Sequence, residues 1–351
     1  MIDQHWMYAP AAAIDNDAIN AAWARQKQLT KPPGALGQLE TLAVRLAGMQ
    51  GRDDPRLERL WISVFAADHG IAADGVSAFP QDVTAQMVSN MAHGGAAISV
   101  LATALAAEWE LIVLGTLAPV PAHPAVRHEL IAPSTAHLAL EPALTDTQLQ
   151  QALASGRAAA ERAKTAHTDL FIGGEMGIGN TTSAAALGCA YLEQPAETLV
   201  GFGTGIDLAT HRRKCALVSQ ALQRHQAAFN DPLEVLRCLG GFEIAALAGA
   251  YIHCAQQGIP ILLDGFISSA AALAAMRLCP GAESWMLLGH ASVEQGHRAM
   301  AQALGLTPIL DLQLRLGEGS GAAVAVPVLR LACALHQQMA TFSEAGVSCG
   351  A

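Results

Sequence analysis

Short apolar runs, each closing on glycine or a polar residue, alternate along this chain with long Ala-rich stretches. The runs RLWISVFAADHG, ELIVLG, TDLFIGGEMGIG, PILLDGF and SWMLLGH are continuously apolar rather than alternating in polarity. A strand buried on both faces reads this way, because crossover helices cover a parallel sheet above and below. Between the runs lie segments such as MVSNMAHGGAAISVLATALA and TTSAAALGCAYL, whose small apolar residues suit closely packed helices. The alternation predicts an α/β fold, a parallel sheet with crossover helices. Open sheets of this kind collect ligands beyond the carboxyl ends of their strands, which is where the Gly-rich and polar motifs of this chain fall.

The two ends of the chain depart from that rhythm. Residues 13–28 carry an amphipathic pattern that stops at LTKPPG, since Pro32 and Pro33 cannot continue a helix and Gly34 permits a turn. A second helix is predicted over 35–50, and the last 30 residues again read as helix. The expected division is a small helical domain from 1–50 and 325–351 and a large domain over 51–324, with a proline-containing surface excursion at 116–148.

Composition narrows the functional classes. With 52% hydrophobic and 14% charged residues in a chain of 351, a large buried core is available. A formal net charge of −10 opposes a nucleic-acid surface, which needs clustered Lys and Arg. The seven cysteines (Cys189, Cys215, Cys238, Cys254, Cys279, Cys333 and Cys349) never form a C-x-x-C pair, which predicts reduced, buried thiols and no metal site. The N-terminus has no basic stretch ahead of an apolar one, and the run AAVAVPVLRLACAL is interrupted by Pro327 and Arg330. A cytoplasmic protein without a membrane partner is expected.

Four motifs can carry chemistry. The turn Gly173-Gly174-Glu175-Met176-Gly177-Ile178-Gly179-Asn180-Thr181-Thr182 passes from a strand-like run into an Ala-rich helix, and reads either as a phosphate cradle or as a tight turn. It is neither a Walker loop nor a clean G-x-G-x-x-G fingerprint. A second turn, Gly201-Phe202-Gly203-Thr204-Gly205-Ile206-Asp207, precedes a helix with Arg212, Arg213 and Lys214, either a phosphate partner or a solvated basic face. After the first strand, Asp68-His69 and the stretch containing Phe79, Gln86 and Met87 mix polar and apolar groups as a flat heteroaromatic ligand would require; Asp68-His69 alone reads equally as a turn cap. Glu318, among the glycines of LRLGEGSG, is either a general base or an acid satisfying a helix N-terminus.

Taken in order, KPPGALGQLE, ADHGIAADGVSAFPQDVTAQMV, GGAAI, GEMGIGNTTSAAA, GTGID, LGGFEIAALAGA, PILLDGFISSAAALAA and LGEGSGAA resemble the nicotinate-nucleotide:dimethylbenzimidazole phosphoribosyltransferase family from residue 31 almost to the end. The resemblance implies a homodimer with a Rossmann-like large domain and a small helical domain built from both termini. It implies that phosphoribose moves from nicotinate mononucleotide to 5,6-dimethylbenzimidazole with inversion, giving α-ribazole 5′-phosphate for the cobalamin nucleotide loop, with no cofactor. By the same resemblance Glu318 is the base. Glu175, Gly177, Ile178, Gly179, Asn180, Thr181, Gly203, Gly205, Lys214, Asp264 and Ser292 surround the ribose phosphate, and Phe79, Gln86, Met176 and Leu316 line the benzimidazole pocket. At two positions the family pattern is lost, since Phe202 and Ala291 stand where arginines are common, and the strand ELIVLGT also lacks the acidic residue expected near Leu114.

Overall fold

The structure, a computed structural model, describes residues 4–203 and 205–348; Thr204 and Cys349 lie outside them. Among the described residues, seven strands form one sheet in the order β3-β2-β1-β4-β5-β6-β7. They are β1 (Leu60–Ala67), β2 (Glu108–Gly115), β3 (Val126–His128), β4 (Leu170–Met176), β5 (Ile261–Leu263), β6 (Met286–His290) and β7 (Pro308–Leu310). Every pairing is parallel. The five runs identified in the sequence supply β1, β2, β4, β5 and β6. β3 and β7, three residues each, extend the two edges; β3 falls inside the stretch expected to be a surface excursion.

The central strands are apolar because helices cover both faces. Apart from Trp61 in β1 and Met176 in β4, every residue of these two strands is buried. One covering pair shows what the abundant Gly and Ala accomplish. Helices Asp146–Thr165 and Phe242–Gln257 approach so closely that a Cβ on Gly156 would overlap the Ala246 carbonyl, and one on Gly249 the Leu153 carbonyl. The first of these helices opens on a capping box: Gln148 N–H donates to Thr145 Oγ1 at 3.2 Å, and Thr145 N–H donates to Gln148 Oε1 at 2.9 Å.

The stretch Asp82–Leu105 is long and apolar enough by composition to cross a membrane. It is interrupted, however, into helices Asp82–Ala92 and Ala97–Leu105, with Gly94 in the left-handed region (φ 81°) at the break. The terminal helices begin slightly later than their sequence pattern suggests, at Asn16–Gln28 and Gln38–Gln50. The chain ends meet there: Arg25 donates to the carbonyls of His336 (2.7 Å) and Gln337 (2.6 Å), and Leu29 bridges Thr341. Helix Ser320–Gln338 starts before the expected boundary at 325, on the large sheet, and runs without interruption into this terminal cluster. The six described cysteines are free and buried.

Candidate active site

The strand order reverses between β1 and β4, and a crevice beyond the carboxyl ends of adjacent strands is the geometric consequence. A cavity of about 600 Å³ occupies it. Its apolar lining includes Phe79, Val83, Met87, Met176, Ile178 and Leu316, and its polar lining includes Asn180, Thr181, Ser292 and Arg315. Four carboxylates, Glu175, Asp264, Glu294 and Glu318, also face it.

Helices Asn180–Leu192, Phe266–Leu278 and Ser320–Gln338 all begin at or just past this wall. None has a side-chain cap within its own N-terminal turn. Asp264, from outside the helix, takes up the amides at the start of Ser320–Gln338, so it is the first amides and aligned peptide dipoles of Asn180–Leu192 and Phe266–Leu278 that favour an anion in the cavity. Among the described residues, the amides of Gly179 and Thr181 have no backbone acceptor. The Ile178 amide is already engaged: it donates to Thr84 Oγ1 at 3.1 Å, and that hydroxyl donates to Asp68 Oδ1 at 2.6 Å. Asp68 also accepts from Leu117 N–H at 2.9 Å. Beneath the same turn His69 Nε2 donates to Glu243 Oε1 at 2.6 Å, with both side chains fully enclosed. Ser183 Oγ lies 3.0 Å from His69 Nδ1. A Cβ on Gly177 would strike the Ala67 carbonyl, and Gly179 sits at φ 99° against Ala72 and His69. Glycine is required at both places for the loop to lie on this base. Asp68 and His69 thus support the cradle from behind and do not line the cavity.

Lys214 is fully buried behind the cradle. Its Nζ donates to Thr181 Oγ1 at 2.8 Å and lies 3.5 Å from the Gly201 carbonyl. Burial pulls its ammonium down to about 8, against the opposing effect of Glu294 and Cys215. The basic cluster of the sequence thus divides, with Lys214 buried and Arg212 and Arg213 outside.

Glu318 stands in an unusual backbone. Gly317, Glu318 and Gly319 all have positive φ, at 89°, 64° and 85°. For a non-glycine residue this is a strained conformation that neighbouring contacts must hold. They do: Glu318 N–H donates to the Glu175 carbonyl at 3.3 Å, and the Glu318 backbone lies so close to Gly174 that a Cβ there would overlap it. Its side chain is buried, and Oε2 accepts from Ile98 N–H at 3.2 Å at the start of helix Ala97–Leu105. Burial raises the carboxyl above its ordinary value; the Ile98 amide opposes this and Asp264 reinforces it. Glu175 is raised much further, by burial first and then by Glu243, Asp264 and Glu318, although Asn180 donates to it.

Residues 11–347 match the family model described as phosphoribosyltransferase (DBI_PRT). The nicotinate-nucleotide–dimethylbenzimidazole phosphoribosyltransferase of Xanthomonas euvesicatoria pv. vesicatoria is 57% identical over 343 residues, covering 98% of this chain and 98% of that protein. The chain belongs to this phosphoribosyltransferase family. The protein of the same name from Pseudomonas syringae pv. syringae is 55% identical over the same shares of both chains. The crystal structure of CobT from Thermus thermophilus matches with a TM-score of 0.91 at 47% identity, over 95% of this chain and 100% of that one.

Within this transferase, the residues singled out by sequence are distributed as follows. Phe79, Glu175, Met176, Gly177, Ile178, Asn180, Thr181, Gly203, Asp264, Ser292, Leu316 and Glu318 all line the cavity. Gly179 and Lys214 lie just behind it. Gly205 lines an adjoining space of about 470 Å³ that shares Gly203, Glu294 and Arg315 with the main cavity. Gln86 is exposed and off the wall; Val83 and Met87, on the same helix, line it instead. Asp264 spends both carboxylate oxygens on backbone amides, accepting from Gly319 (3.2 Å) and Ala322 (2.9 Å). Phe202, at one of the two departures from the family pattern, stacks on His211 with centroids 4.5 Å apart, and Arg315 donates to the Gly203 carbonyl at 2.9 Å from across the adjoining space. Ala291 donates its amide to the Leu310 carbonyl, continuing the sheet edge. Sequence reading did not single out His290, Arg315, or the amide-bearing turn Phe266–Ser268. The glycine before Phe266 was the available signal for the last of these.

Proposed function

We propose that this transferase moves the phosphoribosyl group of nicotinate mononucleotide to 5,6-dimethylbenzimidazole, releasing nicotinate and α-ribazole 5′-phosphate for assembly of the cobalamin nucleotide loop. The reading is carried by one juxtaposition: a buried carboxylate, Glu318, faces a cavity that also contains an aromatic and thioether wall, formed by Phe79, Met87 and Met176, and the amides of helix N-termini. A flat apolar base fits the wall and a phosphate fits the amides.

The chemistry needs one base. The departing ring is a pyridinium, so when the bond from its nitrogen to C1′ breaks, the electron pair stays on that nitrogen and neutralises it. No acid has to protonate the leaving group. The incoming benzimidazole attacks C1′ through one ring nitrogen and gives up the proton on the other, which Glu318 accepts through its oxygen not held by Ile98. Holding the two rings on opposite sides of C1′ supplies much of the remaining acceleration and fixes inversion. Lys214, through Thr181, holds the phosphate together with Gly203, the Gly177–Thr181 turn and Ser292. Phe79, Met176 and Leu316 hold the benzimidazole, with Gln86 on the exposed side of helix Asp82–Ala92. A homodimer in the cytoplasm, with a small helical domain made from both chain ends, completes the proposal.

The decisive experiment incubates the purified protein with nicotinate mononucleotide and dimethylbenzimidazole and follows both products by chromatography and mass. Equal amounts of nicotinate and α-ribazole phosphate are expected. In Glu318→Gln, product formation falls by about 10²–10⁴-fold while both substrates still bind. Near-normal turnover in that variant removes Glu318 from the mechanism.

A further inference from the structure

We propose that Asp264, braced by His290, is a positioning residue that holds the catalytic carboxylate in place, rather than a contact to the ribose. The inference rests on the reading of Glu318 as the base. Helix Ser320–Gln338 opens on Gly319, which has no side chain with which to cap it. Asp264 supplies that cap from the end of β5, far away in sequence, with Oδ2 accepting from Gly319 and Oδ1 from Ala322. The Gly319 amide immediately follows the left-handed Glu318 and the Ala322 amide lies in the next turn, so the cap also fixes the strained segment 317–319 on the cavity wall.

His290 completes the arrangement. It is buried at the end of β6, with Nε2 3.5 Å from Asp264 Oδ1 and, among the described residues, no hydrogen-bond partner for Nδ1. Its ring lies where a Cβ on Gly321 would be, and against Gly265 as well. A glycine inside the first turn of a helix costs stability relative to alanine. Here that glycine admits the imidazole between the helix and the β5 loop. Asp264 is therefore gripped by two helix amides and faced by one imidazole, a set of partners suited to fixing an orientation.

The test is a double-mutant cycle between Asp264→Asn and Glu318→Gln, read as kcat and KM for each substrate. Asp264→Asn places an amide against the Gly319 and Ala322 amides; kcat is expected to fall about 10- to 100-fold, with KM for nicotinate mononucleotide changed by less than about threefold, as displacement of a reacting group predicts. In the Glu318→Gln background the same change should cost little more, because the group it positions is already gone. His290→Gln, which retains a donor, should keep more activity than His290→Leu. A large rise in KM at unchanged kcat overturns the proposal and restores a ribose contact. Equal losses in both backgrounds also overturn it, while leaving Glu318 as base. Normal turnover in Glu318→Gln alone brings down the base reading and this proposal with it. If Asp264→Asn does not melt cooperatively, His290→Leu takes its place in the same cycle, with the same outcomes deciding.

Discussion

Lys214 is the residue whose chemistry is most sensitive to conditions. Its ammonium is lowered to about 8 by burial, so the free enzyme loses this charge as pH rises through that value. A bound phosphate favours the charged form and holds the proton on. The expected alkaline limb therefore appears in kcat/KM near pH 8 and is displaced upward in kcat. On the acid side, Glu318 is raised from its ordinary value, so kcat/KM should fall at a higher pH than an exposed glutamate would dictate. Rate profiles with nicotinate mononucleotide varied check both limbs. Lys214→Met should lower kcat/KM by about a hundredfold, the equivalent of roughly 2–3 kcal/mol for a charged hydrogen bond. An unchanged kcat/KM would remove Lys214 from phosphate binding. At this scale the sequence was most informative where glycine spacing restricts geometry, as at Gly177, Gly179 and Gly317. It was least informative where one helical position separates a wall residue from a solvated one. Phe79, Val83 and Met87 recur every four positions, and that period favours Met87 over Gln86 as the wall residue. Nothing local in the sequence marks Asp264 as a cap for a helix that starts at Ser320.

Among the elements, the long buried strands were legible because eight consecutive residues of β1, LWISVFAA, leave little choice but a doubly covered strand. β3 and β7, VRH and PIL, are too short to produce a period, and only pairing with β2 and β6 defines them. The break between helices Asp82–Ala92 and Ala97–Leu105 is written in Gly94-Gly95, yet the apolar residues around it read as one continuous helix. Close packing of Asp146–Thr165 on Phe242–Gln257 was implied by composition only, because the sequence does not say which glycines face each other. Gly249→Ala would push a methyl group into the Leu153 carbonyl. It should destabilise the fold by about 1–3 kcal/mol, seen as a lower urea midpoint at unchanged slope. An unshifted midpoint would mean that the helices can separate at no cost.

For the molecule as a whole, a formal net charge of −10 surrounds a cavity built for an anion. At low ionic strength the long-range field repels the nucleotide, whereas the helix N-termini act only within a turn of their ends. Adding an inert salt up to about 0.1 M should therefore raise kcat/KM for nicotinate mononucleotide a few-fold. A fall would mean that the local positive potential extends into solvent. The parallel sheet was legible at this scale, and the boundary expected at residue 325 falls within one 19-residue helix. That helix has a mechanical meaning. It is a strut roughly 28 Å long, seated at one end beside Glu318, pinned along its length by Arg330 to the Leu57 and Leu105 carbonyls, and clasped at the far end by Arg25. Tension applied toward the two ends of the chain would load outer contacts such as Ala11–Pro280 and Thr30–Ala340 and the Arg25 clasp before the catalytic loop, so the strained backbone at Glu318 is shielded from pulling at the ends.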